Sequence, residues 1–133
     1  MVLVDTSVII DKLRKIENPK TLLFDQLHAA KTPFGISILT YHEVLQGAKS
    51  EIEFLKLEGY FSTQKIFYLP NLSEVYSKSA RLYFELRRHS ITVRNTVDVI
   101  IAFTAIYYEI PLLHNDRDYD LIATRVPELK ILM

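Results

Sequence analysis

The chain has 133 residues, a length that favours one domain, residues 1–133. Its composition, 49% hydrophobic and 24% charged, is that of a globular protein with a real core and is too apolar for a disordered chain. The absence of cysteine excludes a disulfide framework and a thiolate zinc site, and the balance of 16 basic against 16 acidic residues means that any nucleic-acid role requires cations and acids gathered in separate places.

The N-terminus, Met1-Val2-Leu3-Val4-Asp5, has no basic segment and meets an acid after three apolar residues, which argues against a signal peptide. With the lack of cysteine this fits a cytoplasmic protein. Val2–Val4 reads as a strand. From Thr6 to Lys15 a helix is predicted, with Val8, Ile9, Leu13 and Ile16 near one face, and from Pro19 to Lys31 a second, with proline in its first turn and Leu22, Leu23, Leu27 and Ala30 at helical spacing. Phe34–Ile38 leans towards strand, followed by helical patterns at Thr40–Ala48 and Ser50–Phe61. A third strand is expected at Ile66–Leu69, then helices at Ser73–Ser90 and Thr96–Glu109, then strands at Pro111–His114 and Lys130–Leu132. The longest apolar runs, such as Val99–Phe103, are far below the roughly 18 residues of a membrane span.

Strands separated by helices predict an α/β fold with a central, mostly parallel sheet. In such sheets the ligand crevice lies beyond the carboxyl ends of the strands. Four acids stand there. Asp5 follows the first strand, Glu43 falls in the first turn of the helix after the second, Asp98 opens the apolar helix Val99–Tyr107, and Asp116 follows Pro111–His114.

Each acid alone has a structural explanation: Asp5 as a helix N-cap, Thr40-Tyr41-His42-Glu43 as a capping box, Asp98 and Asp116 as complements to helix dipoles. Capping does not, however, require all four helices to begin at one end of one sheet. Crowded carboxylates repel unless positive charge is added; helix N-termini supply part of it and a divalent metal the rest. Oxygen-only ligation favours Mg²⁺ or Mn²⁺ over zinc, and such an ion activates water for attack on a phosphodiester.

The same residues carry a resemblance. Leu3-Val4-Asp5-Thr6-Ser7-Val8-Ile9-Ile10, Ser37 to Gly47 around Glu43, Ile91 to Ala102 around Asp98, and Leu112-Leu113-His114-Asn115-Asp116-Arg117-Asp118-Tyr119 resemble, in order, the four motifs of VapC-type PIN-domain ribonucleases, with Tyr119 where phenylalanine is more usual. The motifs span residues 3 to 119. The resemblance implies a three-layer α/β/α fold, Mg²⁺ or Mn²⁺ held by Asp5, Glu43, Asp98 and Asp116, and cleavage of structured RNA. It also implies a cognate VapB-like antitoxin and a homodimer. Within the last motif Asp116 is the expected fourth acid and Asp118 an outer or alternative ligand.

Supporting roles fall to Thr6 and Thr40, whose hydroxyls can orient the site (Thr40 while capping its helix), to Arg94, which can hold an RNA phosphate or pair with a site acid, and to Asn115, as a carboxylate partner or a turn residue. Asp11 reads as a solvated helix acid. The four histidines show no ligand spacing and read as structural. Arg87-Arg88-His89, Lys12-Arg14-Lys15 and Arg81 are the densest cations, more simply solvated faces than an RNA track. Ser50–Phe61 carries more apolar surface than a short helix needs, fitting either the core or, with the first two helices, a groove for an antitoxin helix.

The leading reading is thus a Mg²⁺- or Mn²⁺-dependent endoribonuclease of the toxin class. An RNA-processing nuclease without an antitoxin and a non-catalytic metal-binding interaction module are the alternatives. A phospho-receiver domain is disfavoured, since Asp5 is followed by Thr6 and Ser7 and no lysine follows Pro111–His114.

Overall fold

The three-residue run Val2–Val4 is long enough to cross a small sheet and apolar on both sides, which is what a strand covered on two faces requires. In a computed structural model describing all 133 residues it is β1, the start of the order β1 (Val2–Val4), α1 (Thr6–Leu13), α2 (Pro19–Ala29), β2 (Phe34–Ser37), α3 (Ile38–Gln46), α4 (Glu51–Phe61), β3 (Lys65–Phe67), α5 (Ser73–Arg88), α6 (Thr96–Tyr107), β4 (Leu112–Leu113) and α7 (Arg117–Arg125). The four strands form one parallel sheet in the order β3-β2-β1-β4. Leu3 faces Gly35 on one side and Leu112 on the other.

Strand alternation divides the core in two. Val2, Val4, Ile36 and Leu113 pack with buried residues of α1 to α4, among them Val8, Phe24, Val44 and Phe61. Leu3, Phe67 and Leu112 point the opposite way, onto Leu86 of α5, Ile101 and Ala105 of α6, and Tyr119 and Ile122 of α7. The result is the predicted three-layer α/β fold. No helix is long and apolar enough to cross a membrane.

One glycine is fixed by close approach. A Cβ on Gly35 would lie 2.6 Å from the Phe67 ring and 2.8 Å from the Lys65 carbonyl oxygen, so the β2–β3 contact leaves no room for any other residue.

The structure differs from expectation at several element ends, for a shared reason. Helices expected to reach Lys15, Lys31, Ser90 and Glu109 stop two residues earlier. Those four residues take left-handed backbone, φ 54° to 62°, and turn the chain. The next residue's N–H then reaches back to a helix carbonyl, as in Ile16 to Asp11 and Ile91 to Leu86. This is the usual way of satisfying terminal carbonyls, here built without glycine. The expected strand Lys130–Leu132 reduces to a single bridge between Ile131 and Leu112.

In the strand order, β2 and β3 lie to one side of β1 and β4 to the other. The β1–β4 crevice is therefore where the connections diverge and a ligand has room at the strand carboxyl ends. Asp5 and His114-Asn115-Asp116 leave β1 and β4 at that edge.

Candidate active site

Asp5 is the first residue off β1 and the N-cap of α1. Its Oδ2 accepts hydrogen bonds from the Ser7 amide (3.0 Å) and the Ser7 hydroxyl (2.6 Å), and its Oδ1 accepts one from the Tyr119 hydroxyl (2.7 Å). Ser7 Oγ in turn accepts the Asn115 N–H at 2.9 Å, tying the end of β1 to the end of β4. Asp5 is 3% exposed, so this full set of partners is what makes burial of the carboxylate tolerable.

From α3 comes Glu43, in the second turn rather than the first. The capping box expected at Thr40 is not formed: Ser37 caps the helix, its hydroxyl accepting the Leu39 N–H, and α3 begins at Ile38. Thr40 is instead fully buried, with its hydroxyl 3.0 Å from that of Thr6, which donates to Glu43 Oε1 at 2.7 Å. The two threonines thus serve to aim Glu43.

Asp98 stands in the first turn of α6, capped by Asn95. Asp116 caps α7 through the Asp118 N–H, and Asp118 lies buried in the first turn of that helix. Carboxylate oxygens of Asp98, Asp116 and Asp118 lie within 4.8 Å of one another. Arg94 reaches Asp118 (3.2 Å) and Asp116 (3.5 Å) from a mostly exposed position, and its hydrogen bond to Asp118, then the surrounding acids, hold the guanidinium above its ordinary range.

Asp5, Glu43, Asp98, Asp116, Thr6, Arg94 and Asn115 line one open depression of about 540 Å³ in which Ile10 is the only apolar residue. Asp118 is not among the lining residues but lies next to two of them, Asp98 and Asp116. The pocket carries more negative charge than it neutralises. Burial, then the charge of Asp5, Asp116 and Glu43, pushes the Asp98 carboxyl up to about 7. Burial, then the charge of Asp5 and Asp98, holds the Tyr119 hydroxyl well above its usual value, keeping it a hydrogen-bond donor. An all-oxygen donor set with excess negative charge fits a hard divalent cation such as Mg²⁺ or Mn²⁺.

Several neighbours escaped the sequence reading. Asp11 is not simply solvated: its Oδ2 accepts from Asn115 (2.9 Å) and Asn18 (3.0 Å) in the pocket wall. His114, structural as expected, has a definite task, since its Nδ1 accepts the Asp116 N–H at 3.0 Å. Its Nε2 faces Asp120 at 3.2 Å without hydrogen-bond geometry, and burial lowers its pKa, so the ring is neutral. Local spacing gave no signal for either, because the partners are set by the β1–β4 junction. The cationic stretches largely pair locally, Lys12 with Asp25 and both Arg81 and Arg88 with Glu85, and no aromatic residue lines the pocket.

A family profile described as "PIN domain" matches residues 2–124. No curated protein matches the sequence. Among solved structures, VapBC2 from Rickettsia felis bound to a promoter DNA fragment superposes with a TM-score of 0.74 at 20% identity, covering 99% of this chain and 98% of that one. A toxin–antitoxin complex from Klebsiella pneumoniae gives 0.69 at 22%, covering 97% and 95%. FitAcB from Neisseria gonorrhoeae gives 0.69 at 17%, covering 100% and 97%. At these identities the likeness is one of fold.

Proposed function

The chain belongs to the PIN-domain family, and from that premise we propose that it is a Mg²⁺- or Mn²⁺-dependent endoribonuclease acting as the toxin of a type II toxin–antitoxin pair. The observation that carries this reading is the meeting, at one pocket, of acids from four separate segments, with Asp98 pushed up to about 7 by burial and by the charge of Asp5, Asp116 and Glu43, while Arg94 is the only cation that lines the pocket. Folding alone does not favour such a gathering; a divalent cation does.

In this reading Asp98, Asp116 and Asp118, whose carboxylate oxygens lie within 4.8 Å of one another, would hold the cation together with Asp5 and Glu43 of the same pocket. A bound divalent ion supplies Lewis acidity there, acidifying water and offsetting charge on phosphoryl oxygens. Thr6 keeps Glu43 aimed into the pocket. Arg94, at the rim and permanently charged, is placed to exchange its acidic partners for an RNA phosphate.

An antitoxin partner is supported by a second depression, between α1, α3 and α4, which shares Ile10 and Glu43 with the acidic pocket and includes Leu13 and Leu57. Beside it α4 leaves Ile52 and Leu55 more than half exposed. A helical segment laid on this face would end at the acids, which suits an inhibitor. Homodimerisation belongs to the same proposal, with exposed Tyr76 and Phe84 of α5 available to a second copy.

The test is cleavage of a broad cellular RNA set by the purified chain in Mg²⁺ or Mn²⁺, beside EDTA and an Asp5→Ala/Asp98→Ala double variant. Cleavage lost in both controls supports the reading. Cleavage that persists in the double variant, or none from a folded, metal-loaded chain, overturns it.

A further inference from the structure

Tyr119 sits on the first turn of α7, fully buried, with its ring against His114 in the core shared by α5, α6 and α7. Phenylalanine has the same ring and would make the same packing contacts. The hydroxyl is therefore surplus to packing, and burying one has a cost unless it is paired. It is paired across 114 residues of sequence to Asp5 Oδ1 at 2.7 Å, and it stands 3.4 Å from Asp98 Oδ1. A phenol has one proton to give, and the shorter contact takes it.

The consequence is a carboxylate fixed at both ends. Ser7 donates twice to Asp5 Oδ2 and Tyr119 donates once to Oδ1, so rotation about the terminal bond of Asp5 would sacrifice bonds at both oxygens. Because Asp5 is buried, no solvent replaces a lost partner. Three of the four lone-pair sites of Asp5 are thus taken, and the one left, on Oδ1, is held in a fixed direction at a residue that lines the pocket. Groups that hydrogen-bond to metal-ligating carboxylates in this way orient them, and losing such a group commonly weakens metal binding about 10–100-fold.

We propose that Tyr119 is a positioning residue of the acidic centre, its hydroxyl locking Asp5 for divalent cation binding. This rests on the metal-dependent reading above and adds to it a residue from outside the pocket lining. Tyr119 would be the part of the site that converts a ring placed for packing into a restraint on the first acid.

The experiment is calorimetric titration of the purified full chain with Mn²⁺, comparing wild type, Tyr119→Phe and a chain with 4-aminophenylalanine at position 119, which restores a donor at the same point. Melting in EDTA reports folding separately, and RNA cleavage at limiting and saturating Mn²⁺ separates metal affinity from chemistry. The expected result is a Mn²⁺ Kd raised about 10–100-fold in Tyr119→Phe, regained with the amino analogue, with cleavage restored by excess Mn²⁺. Equal Kd values for wild type and a folded Tyr119→Phe would overturn the positioning role while leaving the metal site standing. Should Tyr119→Phe not fold, an amino-analogue chain that folds but binds Mn²⁺ more than about tenfold more weakly than wild type would overturn it as well, and wild-type affinity in that chain would support it. Absence of Mn²⁺ binding by wild type would overturn both this role and the metal-dependent reading.

Discussion

At the floor of the acidic pocket Asp5 is nearly inaccessible and receives three hydrogen bonds, while at its rim Asp98 has a single long contact from Tyr119 and faces three other acids. Both are carboxylates at helix N-termini, so their local sequence settings are alike. The difference is in what surrounds them. The floor is a finished hydrogen-bond network that contributes to the fold whether or not a ligand is present. The rim stores repulsion that the fold tolerates and a cation would relieve. Structure-building and ligand-seeking acids can thus stand side by side, and removing one of each kind should have opposite effects on stability.

The largest effect is expected from Asp98→Asn. On the proposed reading RNA cleavage falls on the order of a hundredfold or more, while the metal-free fold gains stability at pH 8, by about 1–2 kcal/mol after allowing for the solvent that reaches this side chain. Cleavage rates and urea midpoints in EDTA check the two halves. A destabilised Asp98→Asn would erase the distinction between rim and floor.

Asp5→Ala should do the reverse to stability. It removes an N-cap and strands the Ser7 and Tyr119 hydroxyls, for a loss of roughly 2–4 kcal/mol, visible as a lowered melting temperature in EDTA. A smaller loss, about 1 kcal/mol, is expected for Ser7→Ala, which keeps the Asp5–Tyr119 bond but removes one donor to Asp5 and the acceptor for the Asn115 N–H. If the two variants were equally stable, the carboxylate would not be the centre of the network.

Much of this was legible in the sequence. Short apolar runs marked all four strands, and their alternation with helices gave the parallel sheet; the sheet in turn said where Asp5, Glu43, Asp98 and Asp116 should meet. What was not legible depended on choices among near-equivalent signals or on distant partners. Ser37 and Thr40 are both acceptable caps, and only the tertiary pairing of Thr40 with Thr6 draws it away from that role. Lys15, Lys31, Ser90 and Glu109 look helical by type, and their left-handed turns come with the bonds that the following N–H makes back to a helix carbonyl, which residue type alone does not signal. The bonds from Tyr119 to Asp5 and from Asn115 to Asp11 join residues more than 100 positions apart, beyond any periodicity.

The central claim is that the rim carries charge awaiting a cation, and proton linkage reads it most directly. Asp98 titrates near 7 in the metal-free fold against about 3.9 for an unfolded aspartate. The folded chain therefore holds the extra proton between those values, and metal-free stability should decline as pH rises from about 4 through 7. A cation binding at Asp98 must displace that proton. Mn²⁺ titration at pH 6 in buffers of different ionisation enthalpy should show about one proton released per ion, with affinity rising roughly tenfold per pH unit up to about 7 and the linkage lost in Asp98→Asn. Mn²⁺ binding without proton release, unchanged in Asp98→Asn, would contradict the account.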